Sequence, residues 1–321
     1  MTQRVLVLGA GGYVGRHVVA ALRHCGWATP VPVLRRPGSA GEGGLVLDAT
    51  DASALAAALR NVDAVVNCVA GSPATIQAGA QALRNAMASH GSAIRLVHFS
   101  SMAVYGPAIG RVDETAPMAE GLGGYAGAKV AAERLLAEFG DAIMLRPGCI
   151  YGRGSPQWSV RIERLLRAGR IGDLGAAGDG CSNLVHIDDV VQAVLAALRR
   201  SSAGASRIFN LAMPAAPTWN DYFVAYARCL GAVPVPRISQ RRLACEGRIL
   251  APLLKIGEII LRGEGARLPP PIPPSLLRLW AQDIRLDAAA ATDQLAMRWL
   301  PLAEGLTRAA TAHSQKGSPC D

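Results

Sequence analysis

Seven residues near the N-terminus, GAGGYVG at positions 9–15, limit what this chain can fold into more than any other stretch. They follow the apolar run Val5, Leu6, Val7, Leu8 and lead into Val14, Val18 and Leu22 at helical spacing. A strand, a turn that glycine makes tightly and an amphipathic helix read together as the opening of a dinucleotide-binding βαβ unit. Glycines without Cβ let the backbone approach a pyrophosphate, and the helix behind them offers unpaired N–H groups and the positive end of its dipole. The spacing of Gly9, Gly12 and Gly15 is GxxGxxG, and Val14 stands where GxGxxG would need its last glycine. Glycine turns after strands also occur without a ligand, so the case rests on the strands, helices and polar groups farther along the chain.

With 321 residues, half of them hydrophobic, the chain can bury a large core, enough for one α/β unit or two lobes. Its seven cysteines (Cys25, Cys68, Cys149, Cys181, Cys229, Cys245, Cys320) form no CxxC pair and no regular spacing. That argues against a disulfide framework or a zinc site and fits a reducing cytoplasm. Met1 runs into the first strand without a basic, apolar leader, and no apolar run nears the roughly 20 residues that span a bilayer. The expectation is a soluble, cytoplasmic protein. The net charge of +9 is spread along the chain, and aromatic residues make up only 5%. It reads as a solvated Arg-rich surface that also suits a phosphate-bearing cofactor, with no support for nucleic-acid binding.

The alternation continues. A second strand is predicted over residues 31–34, despite Pro30 and Pro32, and it ends at Arg35 and Arg36. In this kind of unit an acid there accepts from the ribose 2′-OH of NAD, while an arginine pair suits the 2′-phosphate of NADP, unless the two simply mark an exposed loop edge. NADP is therefore favoured and NAD left open. A short strand over 45–47 ends at Asp48, and a helix over 53–60 follows with Asp51 or Ser53 as its cap. A buried strand over 64–69 closes on Ala70 and Gly71, small enough to lie against a cofactor. A helix over 76–89, a strand over 94–100, a helix over 125–139 and a strand over 143–145 complete the repeat. This is an α/β chain with a doubly wound parallel sheet. Two further sheet-like returns are expected near 184–187 and 207–211, and a smaller, mostly helical C-terminal lobe beyond about residue 215. The proline run at 269–274 reads as a stiff break, and residues 314–321 as a frayed end.

The chemistry concentrates on Ser101, Tyr125 and Lys129. Tyr125 and Lys129 are four apart, one turn above each other on a helix, so the ammonium reaches the surroundings of the phenol. A free tyrosine titrates near about 10, and a positive neighbour brings the phenolate within range of proton transfer. Ser101, at a strand end, can donate to a substrate oxygen while Tyr125 exchanges its proton and hydride moves to or from a nicotinamide. His186, Asp188 and Asp189 read as a helix cap and not a metal site, and no histidine spacing suggests zinc. The basic, amphipathic stretch 237–267 reads as a lobe helix packed on the core, with a membrane surface or an apolar substrate as the alternative.

In order along the chain, GAGGYVG, Asp48, FSSMAVYG (99–106), YAGAK (125–129), LRPGCIYGRG (145–154) and VHIDDV (185–190) resemble the extended short-chain dehydrogenases/reductases, the NAD(P)-dependent epimerase/dehydratase superfamily, over about residues 3–310. The resemblance implies a Rossmann domain over 1–214, with a substrate-lobe insertion at about 152–182, a substrate lobe over 215–312 and a tail over 313–321. It implies Tyr125 as general acid/base, Lys129 as the group that lowers its pKa and holds the ribose, and Ser101 as the residue orienting the substrate oxygen. Cofactor contacts would come from Gly9, Gly12, Tyr13, Val14, Gly15, Arg35, Arg36, Asp48, Ala70, Tyr125, Lys129, Pro147 and Gly148, with Asp48 at the adenine and residues 147–148 beside the nicotinamide. No metal is implied, and a homodimer through the helix of Tyr125 is.

Two departures bear on the reaction. Relatives that eliminate water carry Asp and Glu directly after the catalytic hydroxyl, where this chain has Met102 and Ala103; Cys149 replaces an Asn common in sugar-nucleotide binders. The expectation is an oxidoreductase acting on a keto group or secondary alcohol of a nucleotide-linked sugar. A 3β-hydroxysteroid-like dehydrogenase and a non-catalytic NADP-binding regulator remain as alternatives.

Overall fold

Side-chain alternation along the first strand decides the layering. In β1 (Gln3–Leu8), Val5 and Val7 enter one apolar core while Leu6 and Leu8 enter another, and all four are almost wholly buried. A strand buried on both faces belongs inside a parallel sheet. β4 (Ala64–Asn67) and β5 (Arg95–Phe99) repeat the pattern, with Val66, Val97 and Phe99 on the first side and Val65 and Leu96 on the second. The computed structural model, which describes residues 2–36, 43–90, 94–200, 207–254 and 269–310, shows the sheet this implies.

Seven parallel strands run in the order β3, β2, β1, β4, β5, β7, β10, with β2 at Ala28–Leu34, β3 at Leu45–Val46, β7 at Ala142–Pro147 and β10 at Ile208–Leu211. Helices α1 (Tyr13–His24) and α6 (Ile187–Arg199) cover the Val5 side. Helices α2 (Ala52–Leu59), α3 (Pro73–Ala88) and α4 (Gly124–Leu136) cover the Leu6 side. The doubly wound arrangement read from the sequence is the one observed.

The prolines of β2 are tolerated because of where their nitrogens point. The carbonyls of Trp27 and Val33 accept from Gln3 and Ala10 on the β1 side, whereas the Leu34 carbonyl accepts from Leu47 on the other. Alternation therefore turns Pro30 and Pro32 away from β1, toward a flank where β3 pairs only with Val33 and Leu34.

A second core lies beside the sheet. It joins β8 (Cys149–Tyr151), α5 (Arg161–Arg167) and β9 (Leu184–His186) to α7 (Trp219–Cys229), α8 (Gln240–Cys245), α9 (Pro274–Ala281) and α11 (Leu302–Ala310), around Trp219, Tyr222, Phe223, Tyr226 and Trp280. α10 (Ala289–Gln294) packs instead on the sheet, through Ala291 and the following Leu295 and Met297. A two-stranded parallel sheet of β6 (Gly110–Val112) and β11 (Ile284–Leu286) roofs the end of β5, with Val112 and Ile284 packed inward beside Val104 and Val130.

Several elements depart from their predicted bounds for local reasons. α3 begins at Pro73 because Ser72 caps it, its hydroxyl accepting from the Thr75 amide, and proline fits the first helical position. Of the two late strands, only β10 joins the main sheet; β9 pairs with β8 in a sheet of two. The proline run does not merely break the chain, since Pro274 starts α9 and Ile272 is fully buried. In the basic stretch, Leu243 and Ala251 are buried while Ile249 and Leu253 are exposed; residues 255–268 lie outside the described residues, as do 311–321 and Cys320 among them. Among the described residues no helix is long and apolar enough to cross a membrane.

Candidate active site

The glycine turn is dictated by two close approaches. Gly9 has φ +75°, and a Cβ there would stand 2.9 Å from the Cys68 carbonyl oxygen at the end of β4. A Cβ on Gly15 would collide with the Gly9 carbonyl, so the turn and the first turn of α1 fit together only without side chains. Gly12 is the N-cap of α1 and has no side chain to satisfy the helix's first N–H groups, and no acid sits in the first turn. The arrangement fits a pyrophosphate, which would take those donors and meet the positive end of the helix dipole. Tyr13 and Val14 are both half-buried and pack on the sheet core, Tyr13 against His17 at 4.9 Å between ring centroids. The Tyr13 hydroxyl is buried without a hydrogen-bond partner.

Arg35 and Arg36 follow β2 directly and are exposed. Asp48 is exposed as well, its Oδ1 accepting from the Thr50 amide and hydroxyl, both at 2.9 Å. Those bonds, and then the Arg35 guanidinium, hold its carboxyl below the usual range. Ala70, beyond β4, is exposed.

Around the end of β5, Ser101, Tyr125 and Lys129 come together. Ser101 caps a short 3₁₀ turn (Met102–Tyr105), with Oγ accepting from the Ala103 amide at 3.2 Å. Tyr125 sits in the first turn of α4, where Gly124 at φ +59° allows the tight entry, and its phenol lies close enough to Ser101 for that hydroxyl to favour the phenolate. Lys129, one turn on and 3% exposed, donates from Nζ to the Phe99 carbonyl at 2.7 Å and lies 5.9 Å from the centroid of the Tyr125 ring. Burial lowers its pKa from the ordinary 10.5 to about 8, against the pull of Cys68 and Glu133.

Burial pushes the Tyr125 phenol up, and Ser101 opposes the rise. The ammonium is anchored on a backbone carbonyl and not turned onto the phenol. Tyr125 is 45% exposed.

Pro147 ends β7, and Gly148 follows with its amide on the Leu211 carbonyl at 2.9 Å. The missing side chain at 148 is explained by packing, since a Cβ would run into the Asn183 carbonyl. Cys149 is buried, which pushes its thiol far up. His186 caps α6, Nδ1 accepting from the Asp188 amide at 3.2 Å, while Asp189 is buried and accepts from the Leu300 amide. No cluster fit for a metal occurs among the described residues. A cavity of about 680 Å³ opens behind β6 and β11, lined by Arg111, Asp179, Cys181, Met213, Arg285 and Asp287 among others, and none of Ser101, Tyr125 and Lys129 borders it.

The sequence reading missed a buried polar layer under α4. Arg146 donates from Nε to both oxygens of Glu133 at 3.0 and 3.1 Å, Ser100 donates to the same carboxylate, and Arg146 Nη1 meets the Tyr105 hydroxyl at 2.8 Å. Tyr105 in turn donates to Asn210 Oδ1 at 2.7 Å. A signal was present: an arginine inside the apolar strand AIMLRP demands a buried anion, and Glu133 stands four residues after Lys129.

Comparison with known proteins accords with this geometry. The chain is 29% identical over 223 residues to a dTDP-4-dehydrorhamnose reductase of Mycobacterium tuberculosis, covering 61% of this chain and 66% of that protein's length. It is 28% identical over 251 residues to a dTDP-4-keto-6-deoxy-D-glucose reductase of Streptomyces niveus, covering 73% and 81%. Among solved structures, MoeE5 in complex with UDP-glucuronic acid and NAD superposes with a TM-score of 0.68 at 26% identity, over 96% of this chain and 97% of that one. The profile of one family matches residues 5–212, a span that takes in both the glycine turn and the Ser101, Tyr125 and Lys129 group, and the chain belongs to that NAD dependent epimerase/dehydratase family.

Proposed function

We propose that this chain reduces a keto group on a nucleotide-linked deoxysugar, with NADPH as hydride donor. The observation that carries the reading is the grouping of Ser101, Tyr125 and Lys129 at the end of β5, one strand from the glycine turn: Gly9 packs on the end of β4, and Cys68 there lies within the field of Lys129. The matched reductases of dTDP-linked keto sugars support the substrate class. Arg35 and Arg36, exposed beyond β2, support the 2′-phosphate of NADP.

The bound nicotinamide would supply the hydride. Ser101 donates to the carbonyl oxygen, and Tyr125 delivers its proton there as negative charge develops. Lys129 supplies positive charge close to that oxygen and can hold ribose hydroxyls. Met102 and Ala103 offer no acid or base, which supports simple reduction over elimination of water. In this reading residues 1–214, apart from the insertion at about 152–182, hold the cofactor, and that insertion with the lobe of residues 215–312 holds the sugar nucleotide. The free thiols of the described cysteines agree with a reducing, cytoplasmic setting.

The test offers a dTDP-4-keto-6-deoxy sugar and a 3-ketosteroid, each with NADPH and with NADH, and follows the absorbance of the reduced nicotinamide. Turnover of the sugar with NADPH is expected, and Tyr125→Phe should lower kcat by about 100-fold or more while leaving NADPH binding intact. No turnover of the sugar, or a Tyr125→Phe enzyme as fast as the wild type, would sink the reading.

A further inference from the structure

Lys129 is an ammonium with almost no water around it, so something must balance its charge. The groups that face it are the Cys68 thiol from β4, the His98 ring and the Phe99 carbonyl from β5, and Tyr125 and Glu133 from its own helix. The Cys68 thiol is pushed up by burial to about 12, and burial, helped by Lys129, pushes His98 well below its usual range. Both are therefore neutral near neutral pH, and Tyr125 is a neutral phenol. Glu133 alone of these brings a negative charge.

We propose that Glu133 is a positioning residue for Lys129: its carboxylate, clamped by Arg146 and Ser100 one helical turn beyond the lysine, compensates the buried ammonium and keeps it charged beside Tyr125. The geometry fits the role. Positions 129 and 133 share a helix face. The carboxylate cannot swing away, because Arg146 grips both of its oxygens and Ser100 donates to one. All four of these groups are at most 3% exposed, so the field between them is poorly screened. The same clamp ties α4 to β5 and β7, and so sets the height of Tyr125 and Lys129 above Ser101.

The inference rests on the proposed role of Tyr125 and Lys129, but its first test needs no turnover. Thermal unfolding is measured for the wild type, Lys129→Met, Glu133→Gln and the double variant at about pH 7. Lys129→Met should raise Tm more in the Glu133→Gln background than in the wild type, because the ammonium there has lost its counter-charge. Equal gains in both backgrounds would overturn the proposal. If Glu133→Gln does not fold alone, recovery of the fold in the double variant supports the coupling and continued failure overturns it.

The second test is the pH profile of kcat/KM with NADPH and the keto sugar. In Glu133→Gln the alkaline limb should move down by about one pH unit, read as about a tenfold loss at high pH with near parity at low pH, and Glu133→Asp should largely restore it. A merely structural role would scale the profile without moving its limb. A profile unmoved in an enzyme that still depends on Tyr125 removes the inference and leaves the reductase reading standing.

Discussion

Lys129 shows what a single buried ammonium costs the fold. In the unfolded chain its amine titrates near about 10.4, and in the folded protein near 8. Between those values the unfolded state holds the extra proton, so this group makes stability rise with pH; below about 8 the penalty for burying its charge is present in full. Lys129→Met should therefore be more stable than the wild type at neutral pH, by about 1–2 kcal/mol once the lost bond to the Phe99 carbonyl is discounted. The gain should shrink as pH climbs from about 8 to about 10. Denaturant unfolding across that window checks it, and a gain that holds constant with pH would assign the effect to packing. In the role proposed for it, Lys129 works against its own effect on stability.

Helix α6 carries the same conflict at the scale of an element. Its first turn holds Asp188, paired with Arg308 at 2.6 Å, and Asp189, which turns inward. Burial raises the Asp189 pKa to about 6, against the Leu300 amide that donates to it. For an acid raised this way the folded state prefers the proton, so stability is lost as pH climbs from about 4 through 6 and stays lost above. Asp189→Asn keeps an acceptor for Leu300 and should gain about 1 kcal/mol at neutral pH after the lost helix-dipole term, and nothing near about pH 4. A loss of stability at both pH values would show that the charge itself is needed. This cap was legible in VHIDDV, as were the glycine turn and the strand alternation, because each is a local pattern with a local cause. What was not legible was tertiary: the pairing of β9 with β8, and Glu133 meeting Arg146 across α4 and β7. The partners of a buried charge come from distant parts of the chain, and only the charge in an apolar strand announces that a partner must exist.

For the molecule as a whole, the question is whether its two cores unfold together. The strands β8 and β9 form their common wall: Tyr151 and Leu184 enter the second core, while Ile150 and Val185, the alternate residues, face the sheet. Within the second core, Arg170 is tied to Glu246 by a buried ion pair and to the Pro270 carbonyl at 2.9 Å, with the partly buried Arg161 close enough for Arg170 to depress its pKa further after burial. Glu246→Ala would leave two neighbouring guanidiniums without that anion, a loss of about 3 kcal/mol or more. In a chain of this size the unfolding midpoint should fall by about 4 °C or more. With Trp27 and Trp299, which pack on the sheet, replaced by Phe, the fluorescence of Trp158, Trp219 and Trp280 reports the second core, and far-UV circular dichroism is weighted to the sheet and its helices. Because the shared strands cannot leave one core and stay in the other, both signals should drop together in the variant. A fluorescence transition that runs ahead of the dichroism would mean instead that the wall formed by β8 and β9 is weak, and that the second core can open while the main sheet holds.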